Sequence, residues 1–350
     1  MRTHILFTKN IIRLVKEAAT SAGAKEHGIL LRIVKDQKRA ARQRKRSLKK
    51  GMHIPQIMIA SITGKCSMNC LGCFHKAHAR TLNELSDGDW LRIFRSASEL
   101  GISVFIIAGG EPFGRPEILT GLSAFSDVLI AVYTNLMTLD TVMLDLFSKS
   151  RNLIPVISLE GGENATDSRR GKGAFASIMN NMLLMRDAGI FFGTSITAWS
   201  ENLEEITAGP FIGELIASGS SFFSFVEYVP ADPAAPYSVL TRDDLEALEE
   251  RMKALRRECR KPFFLFPGNE EQYGGCLAAG RGFFHVAPDG AVEPCPFAPV
   301  SDSALPKTGM IEALNSPLFK KIRNKPLTLT EKNGGCSLRS ERNLPADDRL

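Results

Sequence analysis

Three of the seven cysteines crowd into the segment Cys66-Ser67-Met68-Asn69-Cys70-Leu71-Gly72-Cys73. An odd cysteine count and clustering this tight fit a disulfide framework badly. They fit a metal or redox site kept reduced. Four thiolates would close a zinc or iron–sulfur site, whereas three leave one metal position open to a further ligand. A second group with chemical potential is Gly109-Gly110-Glu111-Pro112. Paired glycines let a backbone come close to a ligand, and a carboxylate suits an ammonium group.

Each group follows a short apolar run, so the positioning elements can be read next. From about Gln56 to Val229, runs rich in Ile, Val and Phe alternate with amphipathic segments. The strand candidates are Gln56 to Thr63, Ser103 to Ala108, Val128 to Thr134, Leu153 to Leu159, Phe191 to Thr197 and Phe222 to Val229. One helix starts at Ser86 or Asp87, carries Trp90, Ile93, Phe94, Ala97 and Leu100 at helical spacing, and stops at Gly101. Others cover Asp140 to Lys149, Phe175 to Ala188 and Asn202 to Ser218. Apolar strands separated by helices imply an α/β chain: a partial (β/α)6 TIM-like barrel whose functional loops follow the strands. Residues 1–50 read as a basic helical extension, residues 51–261 as the barrel, and residues 262–350 as a small α+β unit. Between them, Ala231 to Pro236 looks like a linker, followed by a helix from Asp243 to Cys259. Within the last unit Phe283 to Val286, the turn Pro288-Asp289-Gly290 and Ala291 to Glu293 suggest a hairpin.

The Cys66, Cys70, Cys73 spacing resembles the CxxxCxxC loop of the radical S-adenosylmethionine (SAM) family. There it holds three irons of a [4Fe–4S] cluster while SAM chelates the fourth. Gly109-Gly110-Glu111-Pro112 resembles that family's GGEP motif, which meets the SAM amino group. Thr134-Asn135 resembles its element near the ribose. Ser158-Leu159-Glu160-Gly161, followed by Asp167 to Gly173, is similar to S-x-D-G and H-D-x-x-R-G-x-G. On that alignment Ser158 and Glu160 contact SAM and Arg170 pairs bidentately with its carboxylate. Glu160 stands where Asp is usual, Thr166 where His is usual, and Gly72 where an aromatic often precedes the third cysteine. The resemblance implies a [4Fe–4S] cluster and SAM, cleaved reductively to a 5′-deoxyadenosyl radical that takes hydrogen from a substrate. It also implies an electron donor such as flavodoxin or ferredoxin. Glu227 and Tyr228 end the sixth strand and alternate in direction, so one of them is expected to face SAM or substrate.

Cys276, Gly290 and Cys295 resemble the opening of the SPASM/twitch domains that follow many such barrels, and Cys336 would supply a third ligand to an auxiliary Fe–S cluster. The shorter twitch-like form fits better. Cys259 continues the stripe Leu245, Leu248, Met252, Leu255 and reads as core. His75 and His78 read as neighbours of the cluster loop rather than ligands. The substrate is a peptide, a protein or a small molecule. Two competing readings remain: a zinc-stabilised nucleic-acid-binding protein using Cys66, Cys70, Cys73 and His75, and a bare electron carrier.

The net charge of +6 is uneven, because Arg32 to Lys50 holds ten Lys/Arg against the single Asp36. The plain reading is a solvated helix, and the alternative a docking arm. No nucleic-acid partner is expected. No apolar run nears the roughly 18 residues of a membrane span, and the N-terminus lacks a signal-like apolar stretch, so a cytoplasmic protein is expected.

Overall fold

The computed structural model describes residues 24–77, 83–231, 236–266, 275–324 and 338. Among these residues nine strands form one sheet in the order β7-β6-β5-β4-β3-β2-β1-β8-β9. They are β1 Ile57–Ser61, β2 Val104–Ala108, β3 Leu129–Thr134, β4 Leu153–Leu159, β5 Phe192–Ala198, β6 Ser220–Glu227, β7 Phe263–Phe266, β8 Phe283–Val286 and β9 Val292–Glu293. Every neighbouring pair is parallel except β8 and β9. The helices are α1 Ala24–Lys49, α2 Phe74–Ala77, α3 Asp87–Glu99, α4 Pro116–Ser123, α5 Thr141–Lys149, α6 Glu163–Arg170, α7 Ala174–Asp187, α8 Leu203–Ile206, α9 Gly209–Ala217, α10 Arg242–Cys259, α11 Met310–Leu314 and α12 Pro317–Asn324.

The six expected strands are present, each within two or three residues of its expected ends. They form because a parallel strand covered by helices is apolar on both faces. Along β3 burial alternates: Ile130 and Val132 are buried beneath the helices, while Leu129, Ala131 and Tyr133 on the other face are only partly covered. That second face looks into the space the curled sheet encloses. The edges of the curl approach each other where the rings of Phe266 on β7 and Phe283 on β8 lie 5.6 Å apart.

Three expectations are modified. The segment expected as one helix, Asn202 to Ser218, is two, α8 and α9. Pro210 lacks an N–H to continue the first helix but is accommodated in the first turn of the second. The motif segment after the fourth strand, expected to follow it as a loop, begins within a helix, α6, with Gly162 as its N-cap. The sheet also runs past the six-stranded core: β7 and β8 lie beyond residue 261 yet pair with β6 and β1 respectively. The expected hairpin is β8–β9. It is tied to the barrel by a line of buried polar side chains, in which Ser61 Oγ lies 2.8 Å from His285 Nε2, and His285 Nδ1 2.7 Å from Glu293 Oε2.

The basic helix α1 is solvated on one face only. Ile33, Val34, Gln37, Ala40 and Arg44 recur at helical spacing and are buried. Gln37 Nε2 donates to Ser103 O, and Ser103 Oγ and Gln56 Nε2 donate to Gln37 Oε1. Arg44 Nη1 donates to Gly101 O at 2.6 Å and to Ser103 Oγ at 3.0 Å. The helix therefore seats against the chain just before β1 and β2, at the end of the barrel opposite the motif loops. Arg44→Met leaves the Gly101 carbonyl and the Ser103 hydroxyl short of a donor and is expected to destabilise the protein by about 2 kcal/mol. The exposed Lys45→Met control should shift stability by less than about 0.5 kcal/mol; thermal unfolding of the two variants checks the difference.

Candidate functional site

Because the strands are parallel, the loops that follow them meet at one rim. The cysteine loop follows β1, Gly109–Pro112 follows β2, Thr134–Asn135 ends β3, Glu160–Gly162 follows β4, and Tyr228 follows β6. A cavity of about 270 Å³ opens there. Cys66, Cys70 and Cys73 border it, as do Gly109, Gly110 and Glu111. Thr134, Asn135, Ser158 and Arg170 complete one side, and both Glu227 and Tyr228 stand on the other. Pro112 is buried and opens a short 3-10 turn outside the cavity. Glu160 is fully buried behind the wall. Cys276 and Cys295 are buried in the C-terminal unit, on segments joined by Ala279 N donating to Pro294 O, and do not border the cavity. Pro296 and Phe297, just beyond Cys295, do reach it. Cys336 and His78 lie outside the described residues.

The root of the thiolate loop is held from two sides. Gly110 N donates to Thr63 O at 2.7 Å, and Glu111 N to Lys65 O at 2.8 Å. A Cβ on Gly109 would lie 2.4 Å from Thr63 O, and one on Gly110 would lie 2.0 Å from Lys65 O. The glycine pair was expected to admit a ligand; what it admits here is the backbone of the cysteine loop itself. From the other side Glu84 accepts from Thr63 Oγ1 and Gly64 N, and Arg115 Nη1 reaches both Glu84 Oε2 and Ile62 O. Neither Glu84 nor Arg115 was singled out in the sequence. Arg115 sits three residues past the Gly-Gly-Glu-Pro run, and its motif neighbours were the available signal.

The Glu111 carboxylate accepts from Thr134 Oγ1 at 2.7 Å, Asn135 N at 2.8 Å and Phe113 N at 3.1 Å. It thereby pins the β2 loop to the end of β3. Burial pushes its carboxyl up, against the pull of those three donors. Asn135 Nδ2 lies 3.6 Å from Cys66 Sγ and Met68 N lies 3.4 Å from it, so two N–H groups already face that sulfur.

The loop after β4 carries a compact charge cluster. Arg170 Nε and Nη2 both donate to Glu160 Oε1, at 2.9 and 2.6 Å, and Arg169 Nη1 donates to Glu160 Oε2 at 2.5 Å. The two-pronged edge of Arg170 expected for a ligand carboxylate is therefore directed at Glu160, within the protein. Burial pushes the Glu160 carboxyl up, but Arg169 and Arg170 outweigh it and hold it below the usual carboxylate range. Thr166, in place of a usual histidine, donates to Gly161 O and accepts from Glu160 N, closing the turn. Burial pushes the Cys70 thiol up, Arg170 and Arg169 pull it down, and Cys73 pushes it further up.

These surroundings fit an iron–sulfur cluster. Three thiols on one cavity wall, N–H groups aimed at sulfur and two guanidinium groups beside Cys70 suit an anionic group of that kind. Among the described residues no three His, Cys, Asp or Glu side chains converge closely enough to hold a single ion. His75 faces Gly64 and Glu84 rather than the cavity.

Residues 60–208 match the family model of the Radical SAM superfamily. The chain therefore contains a radical SAM domain over these residues. It is 26% identical over 312 residues to the AdoMet-dependent heme synthase of Methanosarcina barkeri, covering 81% of this chain and 88% of that protein. It is 26% identical over 287 residues to the PqqA peptide cyclase of Gluconobacter oxydans, covering 77% and 79%. Among solved structures it shares its fold with Streptococcus suis SuiB bound to S-adenosylmethionine, at a TM-score of 0.71 and 19% identity, covering 87% of this chain and 79% of that one. SuiB bound to its precursor peptide SuiA superposes with a TM-score of 0.69 and 17% identity, covering 87% and 76%. Among the described residues no helix is long and apolar enough to cross a membrane.

Two outcomes are expected for this radical SAM domain. Gly110→Ala drives a methyl group into the Lys65 carbonyl and should cost about 1–3 kcal/mol, lowering iron uptake on anaerobic reconstitution. Gly114→Ala, whose Cβ would meet nothing within 4 Å, should leave both stability and uptake unchanged. Because Glu160 is held below its ordinary value of 4.5, its ion pairs stabilise the fold above that pH. That contribution disappears as the pH falls and the carboxyl takes up a proton. Denaturant titrations of the apo-protein between neutral and acid pH should show this loss, and Glu160→Gln should flatten that part of the slope.

Proposed function

We propose that this enzyme binds a [4Fe–4S] cluster through Cys66, Cys70 and Cys73, binds S-adenosylmethionine beside it, and modifies a peptide. Held by these three thiols, the cluster would supply the one-electron reduction for cleaving S-adenosylmethionine to methionine and a hydrogen-abstracting 5′-deoxyadenosyl group. The supporting observation is that one cavity is shared between two unlike walls. The first carries the thiols, the backbone of Gly109 and Gly110, Asn135, Ser158 and Arg170. The second, from β6, β7 and the segment after Cys295, presents Val226, Val229, Phe266 and Phe297 around the carboxylate of Glu227.

The first wall has the groups a cofactor with both a carboxylate and an ammonium needs. Arg170 has its Nη1 left over from the Glu160 pair, and the rim carbonyls and Glu111 offer acceptors. The second wall suits an apolar or aromatic side chain, with Glu227 and Tyr228 able to orient polar atoms next to it. Phe74 and Phe297, whose rings are 5.2 Å apart, also border the cavity and add apolar surface to it.

The peptide reading draws on the PqqA peptide cyclase relative and on SuiB, solved with a precursor peptide. A small-molecule substrate is the second reading, favoured by the heme synthase match, which spans a slightly larger share of the chain. Cys276, Cys295 and Cys336 are proposed to hold an auxiliary Fe–S cluster in a twitch-like unit of residues 262–350. The proposed setting is cytoplasmic, with a flavodoxin or ferredoxin as one-electron donor and no nucleic-acid partner.

Anaerobic reconstitution with iron and sulfide, chemical reduction and addition of S-adenosylmethionine should yield 5′-deoxyadenosine. Cys70→Ala should abolish that yield. A cluster-loaded wild-type protein that forms none would overturn the cofactor assignment. Co-expression with short peptides encoded beside its gene, followed by mass spectrometry, should reveal a peptide that has lost hydrogen; unchanged peptides alongside active cleavage would favour the small-molecule reading.

A further inference from the structure

Beyond the thiolates and the groups expected to meet the cofactor, the Cys70 to Cys73 half of the loop has one prominent anchor. Arg169 Nε donates to Leu71 O at 3.1 Å, and Leu71 N donates back to Arg169 O at 2.9 Å. The same guanidinium donates through Nη1 to Glu160 Oε2 and to Thr197 Oγ1 at 2.9 Å. One side chain thus joins the thiolate loop to the loop after β4 and to β5. Its carbon Cζ lies 5.8 Å from the centre of the Tyr228 ring and 5.7 Å from that of Tyr237, within cation–π range. The side chain is only 11% exposed, and its carboxylate partner is fully buried.

We propose that Arg169 is a positioning residue that holds Leu71, and with it Cys70 and Cys73, in the register at which both thiols border the cavity they share with Arg170. The proposal rests on the cluster assignment made above. Leu71 lies between the two cysteines, so a displacement of its peptide carries both sulfurs with it. The other half of the loop is secured by Gly110, Glu111 and the Glu84–Arg115 pair, none of which touches Leu71. A planar guanidinium is required because three acceptors in different directions must be met at once; an ammonium on a flexible stem meets them one at a time. Tyr228 and Tyr237 fix the plane of that fork. The Tyr228 ring borders the cavity, and Tyr237 packs against it with ring centroids 5.4 Å apart.

The test compares wild type, Arg169→Met and Arg169→Lys by three measurements. The first is amide hydrogen exchange of the apo-protein at residues 69–73. The second is the electron paramagnetic resonance spectrum of the reduced, reconstituted cluster with and without S-adenosylmethionine. The third is the dissociation constant for S-adenosylmethionine. Arg169→Met should raise exchange at Leu71 by at least about tenfold, a loss of roughly 1.4 kcal/mol of protection, and should weaken the spectral change caused by S-adenosylmethionine. Arg169→Lys keeps a charge beside Glu160, so it should fold with a wild-type melting temperature while still losing the Leu71 protection. Wild-type exchange at Leu71 in Arg169→Lys, or an unaltered spectral response in a cluster-loaded variant, would overturn the proposal. If wild type takes up no cluster, the cluster assignment fails instead, and the apo-protein exchange still decides whether Arg169 holds Leu71.

Discussion

The thiolate loop has to pass between the end of β1 and the turn after β2 with no room for a side chain. That close passage governs the rest of the site. With Cβ positions on Gly109 and Gly110 falling on the carbonyls of Thr63 and Lys65, only glycine lets the two backbones exchange the hydrogen bonds Gly110 N to Thr63 O and Glu111 N to Lys65 O. Gly109 also has φ +127°, a conformation that residues with a Cβ rarely adopt. The following carboxylate turns to the end of β3, where Thr134 and Asn135 donate to it, while Phe113 N in its own turn supplies a third bond. In this way two motifs that look like separate ligand contacts form one rigid rim. A cofactor laid across it meets donors and acceptors that do not have to reorganise.

A second constraint is electrostatic. Two adjacent arginines at the end of α6 would repel each other and resist burial. Glu160, between them and inaccessible to water, pairs with both, which leaves the trio a net charge of about +1. Desolvating a carboxylate is costly, and the cost is met here because each oxygen takes at least one guanidinium donor. The two oxygens of Glu160 address two different side chains, Oε1 accepting from Arg170 and Oε2 from Arg169. Arg170 and Arg169 keep their charge close to Cys70 while their ion pairs stay inside the protein.

Much of this was legible from the residues. Buried parallel strands leave apolar runs, helices leave spaced apolar positions, and parallel order forces the loops together, so the thiolates, the Gly-Gly-Glu turn and Thr134–Asn135 could be assigned to one rim. What escaped were contacts between elements far apart in sequence. Arg115 and Glu84 carry no signal by themselves, and Arg169 is overshadowed by its neighbour Arg170. The basic stretch from Arg32 to Lys50 looked solvated because charge dominates it. Gln37 and Arg44 are nevertheless drawn inward, for the backbone carbonyls of Gly101 and Ser103 need donors. Pro210 did mark a helix break, but the apolar spacing around it favoured a continuous helix. Cys259 sits at the end of α10 and is partly buried against the core, as its stripe suggested.

The join between the barrel and the C-terminal hairpin carries the last step. β8 could have been a strand of an independent unit, yet it pairs with β1, the strand that leads directly into the cysteine loop. His285 lies opposite Ile59, a residue of the cavity wall, and bridges Ser61 to Glu293. Three buried polar side chains in line would be unfavourable if the hairpin were free to move, because each would then lose its partner in an apolar setting. Their pairing therefore argues that hairpin and barrel stay locked together. Cys295, two residues beyond Glu293, keeps a fixed relation to Cys66, five residues beyond Ser61. Phe297 is placed by the same lock against Phe74, so the far wall of the cavity belongs to the rigid frame that holds the near one.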